Sequence, residues 1–117
     1  MERLERVIEA YELSERLVSS KPPLVINVLS AQEYEDCHIA LSINIPLIDL
    51  EKEVAALDKK KEIVLYCAHE KCPASKKAYE KMAALGFTNL WVYEGGMRDW
   101  KSKNLECSGG CDQSYLV

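Results

Sequence analysis

An α/β fold with a parallel sheet covered by helices on both faces is what this chain predicts, and three features predict it. Apolar, partly β-branched runs alternate with amphipathic segments at intervals of roughly twenty residues, the rhythm of strands joined by helical crossovers. Helix-starting and helix-ending signals fall between those runs: Ser30-Ala31-Gln32-Glu33 has the form of a capping box, and Gly86 follows the last residue of a helical face. The 117 residues suffice for one core and are too few for two comfortable ones.

The elements follow in order. Leu4, Val7, Ile8, Tyr11, Leu17 and Val18 keep helical spacing with Glu and Arg on the other face, which predicts a first helix. A short strand at Val7 and Ile8 followed by a helix from Ala10 to Val18 fits the same residues, and periodicity does not choose between them. Lys21-Pro22-Pro23 cannot continue a helix, so Leu24 to Val28 read as a central strand, interrupted only by Asn27. The capping box then starts a brief helix that ends near Cys37. Ser42-Ile43-Asn44-Ile45 alternates like a half-buried strand and stops at Pro46. Leu47, Leu50, Val54 and Leu57 line one side of a helix, with Lys59, Lys60 and Lys61 suited to its C-terminus. Ile63 to Tyr66 form a buried strand, and Ala74, Ala78, Met82 and Leu85 mark the helix after it. Asn89 to Tyr93 supply another strand, and Gly95-Gly96 turn the chain into a last short helix carrying Met97 and Trp100. The domain is expected to occupy residues 1–106, with 107–117 a flexible tail containing Cys107-Ser108-Gly109-Gly110-Cys111.

Composition narrows the function classes. A hydrophobic fraction of 48% and a charged fraction of 29% are those of an ordinary globular protein. The net charge of −4, with no basic cluster interleaved with aromatics, gives no support to nucleic-acid binding. The charged N-terminus has no apolar core of a signal peptide and no run is long enough to span a membrane, so a cytoplasmic protein without membrane contact is expected. In that setting the five cysteines, Cys37, Cys67, Cys72, Cys107 and Cys111, read as thiols rather than a disulfide framework. Cys107 and Cys111 could meet across their Gly-Gly link, but two thiolates are half of a tetrahedral zinc site, and neither a metal nor a cofactor is expected. Cys37 and His38 sit at a turn and read as structural, with Trp91, Met97 and Trp100 in the core.

Chemistry concentrates at Cys67, which ends an apolar strand and begins the loop into a helix. In open α/β sheets that crevice is the usual ligand site, and the free N–H groups of the following helix attract anions. A thiolate there is expected to be stabilised, its pKa drawn below the ordinary value of about 8.5. Cys72, in the same loop, is a second candidate: a resolving thiol, an alternative nucleophile, or a residue that simply packs at the helix start.

Three motifs in this order resemble the rhodanese-like domain, the single-domain sulfurtransferase module, from about Val7 to Glu106. VINVLSAQEYEDCHIALSINIPL is similar to the family's first signature, IVLYC followed by ALGF to its active-site strand, loop and helix, and VYEGGMRDW to its closing signature. The resemblance implies a mainly parallel five-stranded sheet and makes Cys67 the cysteine that cycles between thiolate and persulfide. Asn27 and Leu29 stand where the family usually has Asp and Arg, Cys37 replaces a usual Gly, and Ala40-Leu41 replace a usual Pro-Gly. The loop is longer than in common single-domain members and holds no arginine.

The implied activity is transfer of a sulfane sulfur from thiosulfate, polysulfide or a persulfide to a thiol or other nucleophile through Cys67. Ala68, His69, Glu70, Lys71 and Pro73 would form the donor site, with His69 and Lys71 supplying the positive charge that an arginine supplies elsewhere. The partners implied are a small anionic sulfur donor and a thiol or protein acceptor, on a monomer or homodimer. A sulfur carrier or binding module is the alternative. Phosphatase or arsenate-reductase chemistry of the same fold fits less well, since Pro73 stands where that loop needs a bidentate arginine.

Overall fold

A computed structural model describes residues 5–111. Its centre is a parallel sheet of β1 (Leu24–Asn27), β3 (Ile43–Asn44), β4 (Ile63–Tyr66) and β5 (Leu90–Tyr93), in the order β3-β1-β4-β5. A second sheet is the antiparallel pair β2 (His38–Ile39) and β6 (Cys107–Ser108). Five strands in one sheet were expected; the structure has four, and the fifth position is a single parallel bridge from Val7 to Val92. Ile8 N–H donates to the Val92 carbonyl and Val92 N–H to that of Arg6, so the pairing is real but too short to be a strand.

This settles the first open boundary in favour of the bridge followed by α1 (Ala10–Leu17); Leu4 lies outside the described residues. α2 (Ala31–Asp36) starts on the predicted capping box, Glu33 N–H donating to Ser30 Oγ and Ser30 N–H to Glu33 Oε1 at 3.2 Å each. The helix expected across Leu47 to Leu57 is shorter: a 3-10 turn at Leu47–Asp49 runs into α3 (Leu50–Glu53), which still buries Leu50 and Val54. α4 (Ala74–Ala84) closes as Gly86 predicts. The Gly86 N–H reaches the Ala83 carbonyl and the Phe87 N–H that of Met82, a Schellman motif whose glycine has φ 100°. α5 (Gly96–Ser102) ends the described helices. None of these helices is long and apolar enough to cross a membrane.

The period-two alternation of β4 divides the core. Ile63 and Leu65 pack with Ile26, Leu50, Val54, Ala78 and Met82 on one face. Val64 and Tyr66 pack with Leu13, Ile39, Met97 and Trp100 on the other. Tyr66, fully buried, closes a polar ring inside the second face: its hydroxyl accepts from Ile39 N–H at 3.0 Å and meets Ser42 Oγ at 2.9 Å, while Ser42 donates to the Ile39 carbonyl. Burial, against the hydrogen bond with Ser42, pushes this phenol up to about 12. Leu41, where the family resemblance has glycine, adopts φ 74°. Trp91, read as core, is only partly buried, with the Arg6 guanidinium 3.9 Å and that of Arg16 4.6 Å from its ring centre.

The reading of all cysteines as thiols is corrected. Cys37 and Cys111 form a disulfide across 74 positions of sequence. The first part of the expected flexible tail is built into the fold: Cys107 and Ser108 pair with β2, and Cys111 N–H donates to the Asp36 carbonyl at 2.7 Å. Residues 112–117 of that segment lie outside the described residues.

Candidate active site

The sheet order places a topological switch between β1 and β4. From β1 the chain crosses over α2 to β3 on one side, and from β4 it crosses over α4 to β5 on the other. Crevices for ligands open at such points, beyond the carboxyl ends of the strands. Cys67 is the first residue past β4, at this edge.

The loop after it is held from below by backbone. The first N–H groups of α5 donate into it, Met97 N–H to the Cys67 carbonyl and Arg98 N–H to the Ala68 carbonyl, each at 2.9 Å. This explains Gly96. It has φ 66°, and a β-carbon there would stand 2.5 Å from the Cys67 carbonyl oxygen and 2.8 Å from His69 N. Within the loop, Cys72 N–H donates to the His69 carbonyl at 3.0 Å and Lys71 N–H to His69 Nδ1 at 3.2 Å. On the β1 side, Asn27 Oδ1 accepts from Leu29 N–H at 2.9 Å, so asparagine here braces the neighbouring loop as a hydrogen-bond acceptor.

Cys67 is 1% exposed. Its Sγ lies 3.4 Å from the Cys72 carbonyl oxygen, to which the S–H donates, and 3.4 Å from Ser75 Oγ. Burial and the adjacent Cys72 side chain push the thiol up to about 11, against the lowering effect of the Ser75 hydroxyl and N–H. The expected lowering is therefore reversed. The N–H groups expected from the following helix do not outweigh burial, and a carbonyl oxygen accepts the thiol proton. Ser75, which the sequence reading did not single out, is the second polar group at the sulfur. Its signal was its place in the first turn of α4, facing back toward the strand.

The other expected residues divide. Ala68 is buried, His69 and Cys72 half-buried, and Glu70, Lys71 and Pro73 exposed. His69 and Glu70 line a cavity of about 260 Å³ whose other wall is Gly95, Arg98, Asp99 and Ser102 from the α5 region. Cys67 does not line this cavity, and Lys71 and Pro73 do not reach it. Arg98 is a second site residue the sequence reading passed over, a cation brought beside the loop from the closing motif rather than from the loop itself. Asp99 is held below the ordinary carboxylate range: burial opposes its charge, but the hydrogen bonds from Lys103 and from the Tyr93 hydroxyl outweigh that. The arrangement is a buried thiol with a second thiol at its side, beneath a loop whose outer face carries a mixed-charge pocket.

Comparison with known proteins agrees with this geometry. The rhodanese-like domain profile matches residues 9–103. The chain is 29% identical to the thiosulfate:glutathione sulfurtransferase of Saccharomyces cerevisiae, covering 80% of this chain and 76% of that one. It is 26% identical to the thiosulfate sulfurtransferase GlpE of Coxiella burnetii, covering 81% and 83%. The crystal structure of the BH2092 protein from Bacillus halodurans superposes with a TM-score of 0.83 at 30% identity, over 92% of this chain and 79% of that one. With a matching profile over most of its length and the matching fold around Cys67, this chain belongs to the rhodanese-like domain family.

Proposed function

We propose that this protein is a sulfurtransferase that carries sulfane sulfur as a persulfide on Cys67. The observation that carries the reading is the setting of Cys67, a thiol at the sheet's switch point, beside the first turn of α4 and on a loop fixed by α5. The relatives named thiosulfate sulfurtransferases support the donor class. In the forward step the Cys67 thiolate attacks the sulfane sulfur of thiosulfate. A Cys67 S–S bond forms, the sulfur–sulfur bond of thiosulfate breaks, and sulfite leaves with the electron pair. An acceptor thiolate then attacks the terminal sulfur and returns Cys67 as thiolate.

The buried sulfur sets two requirements on this cycle. Its proton has to leave, and the loop from Ala68 to Cys72 has to move for a donor to reach an atom that is 1% exposed as a residue. Arg98, across the outer cavity from His69, is the cation that would receive an anionic donor. Cys72 has a role supported by its contact with Cys67. Its thiolate, attacking the inner sulfur of the Cys67 persulfide, would release hydrosulfide and leave a Cys67–Cys72 disulfide for a thiol reductant to open.

Intact mass decides the matter. Reduced protein treated with thiosulfate or polysulfide is expected to gain one sulfur atom, to lose it to cyanide or a thiol, and to gain none when Cys67→Ser is introduced. Absence of an adduct from either donor, or an adduct retained in Cys67→Ser, refutes the reading. Cys72→Ser with unchanged hydrosulfide release refutes the resolving role alone.

A further inference from the structure

Away from Cys67, three sulfurs converge at the other sheet. Cys37 Sγ, Cys107 Sγ and Cys111 Sγ all lie within 4.8 Å of one another. Two of them are joined as the disulfide, and Cys107 is a free thiol beside it. A disulfide alone needs no third sulfur.

Backbone contacts, besides the S–S bond, hold the cluster together. β6 holds Cys107 in register opposite Ile39, two residues beyond Cys37. Cys111 N–H is anchored on the Asp36 carbonyl at 2.7 Å, at the end of α2. Between them Gly109, at φ 102°, lies flat on that same helix end, where a β-carbon would be 2.2 Å from the Asp36 carbonyl oxygen. Only glycine fits this turn, and the turn brings Cys111 back over Cys107. Lys101 Nζ donates to the Cys111 carbonyl at 2.8 Å, a further tie on the same turn.

We propose that the reduced cluster is a metal site: Cys37, Cys107 and Cys111 bind one soft d10 cation, Zn²⁺ or Cu⁺, through three thiolates. A thiol reductant opens the disulfide, two electrons passing to Cys37 and Cys111 while the reductant becomes its own disulfide. Metal binding then displaces the thiol protons. Thiolates around a metal at about 2.3 Å stand about 3.8 Å apart, so small rotations of Cys37 and Cys111 convert the observed triangle into a coordinating one. Thiolate ligands select Zn²⁺ and Cu⁺ over hard cations. Among the described residues no His or carboxylate joins the three sulfurs. Cu⁺ is complete with three ligands, and Zn²⁺ takes a water or an external thiol as its fourth. The disulfide and the metal are thus alternative closures of one knot.

The test uses the full chain carrying Cys67→Ser and Cys72→Ser, so that the active-site pair cannot contribute. It is reduced with a phosphine, handled without oxygen, and titrated with Zn²⁺ or Cu⁺ against a chromophoric chelator. Cd²⁺ serves as the probe that counts thiolates by their charge-transfer absorption. One ion per chain with three thiolates is expected, and no binding by the oxidised protein. Cys107→Ser keeps the Cys37–Cys111 pair and is expected to weaken binding by about a hundredfold or more, since loss of even an outer-shell partner costs about 10–100-fold. Circular dichroism follows the reduced, metal-free chain; if its fold is lost, Zn²⁺ or Cu⁺ must restore it. Failure to bind or to restore the fold, equal affinity in Cys107→Ser, or one ion shared by two chains overturns the proposal. Tight binding of only one of the two cations identifies which closes the site.

Discussion

Replacing Gly96 by alanine tests whether the loop after Cys67 is braced from α5. The new β-carbon would face the Cys67 carbonyl oxygen at 2.5 Å, and Ala68 C and His69 N at 2.8 Å, all backbone atoms that cannot swing aside as a side chain does. Two costs add. A left-handed φ costs an L-residue about 1–2 kcal/mol. Moving the packed loop by several tenths of an ångström costs about 1–3 kcal/mol, as overpacking does elsewhere. The sum is about 2–5 kcal/mol, and at about 4 °C per kcal/mol for a chain of this length the Tm falls by about 8–20 °C. Gly86→Ala is the control. Its φ is 100° with nothing within 4 Å of the added carbon, so it carries the backbone cost alone. Calorimetry of both variants gives the stability difference, and the alkylation rate of Cys67 reports loop position independently of any assigned activity. Sulfur transfer in Gly96→Ala is expected to fall by about tenfold or more, because small misplacements of a reacting group are costly. Equal Tm losses in the two variants, with Cys67 reactivity unchanged in Gly96→Ala, would refute the bracing argument.

Other expectations follow from the same geometry. The Cys67 thiol, held at about 11 against an ordinary 9.0, binds its proton more tightly folded than unfolded. Its contribution to stability is therefore complete below pH 9 and lost toward pH 11, by about 2–3 kcal/mol. Denaturant melts of wild type and Cys67→Ser at pH 8 and pH 10.5 isolate that loss from those of the buried tyrosines, and parallel pH profiles would disprove it. Tyr66→Phe leaves the Ile39 N–H buried without its acceptor and is expected to cost about 1–3 kcal/mol, read by urea denaturation; a change below about 0.5 kcal/mol would show the ring to be dispensable. Reducing Cys37–Cys111 releases a link across 74 positions. Loop entropy sets its contribution at about 4–5 kcal/mol, so calorimetry with and without reductant, in metal-free buffer, is expected to show a Tm difference of about 16–20 °C. A difference of a degree or two would mean that the unfolded chain gains no freedom from reduction.

What could be read from the sequence were the features set by neighbours in sequence. The Ser30–Glu33 box and the Gly86 stop depend on contacts a few residues apart, and both formed as read. The place of Cys67 between a buried strand and the loop into α4 was legible for the same reason, since an apolar strand, a loop and a helix bracket it locally. The misses lie where distant segments meet. Cys37 gives no hint of Cys111 until β2 and β6 pair. Arg98 joins the loop's outer pocket only because α5 packs beneath it. The direction of the Cys67 shift turned on how deeply the sulfur is buried and on the Cys72 side chain beside it, neither of which residue types alone specify. α3 came out shorter than its apolar spacing implied because Leu47, Leu50, Val54 and Leu57 meet the core through turns as well as through helix.

The Cys37–Cys111 bond also decides how the molecule carries tension. It draws β3, β4, β5 and the Cys67 loop into one covalent ring, leaving α1, β1 and α2 on the strand of chain that leads into it. A pull on the two ends runs through the bond and bypasses the ring, so the load falls on the Val7 bridge to β5 and on the pairing of β1 with β3 and β4. The 74 positions inside the ring contribute nothing to extension until the bond is reduced. Opening it then releases about 250 Å of hidden chain, at about 3.4 Å per residue. Oxidation thus keeps the length of chain that carries β3, β4, β5 and Cys67 out of the extension.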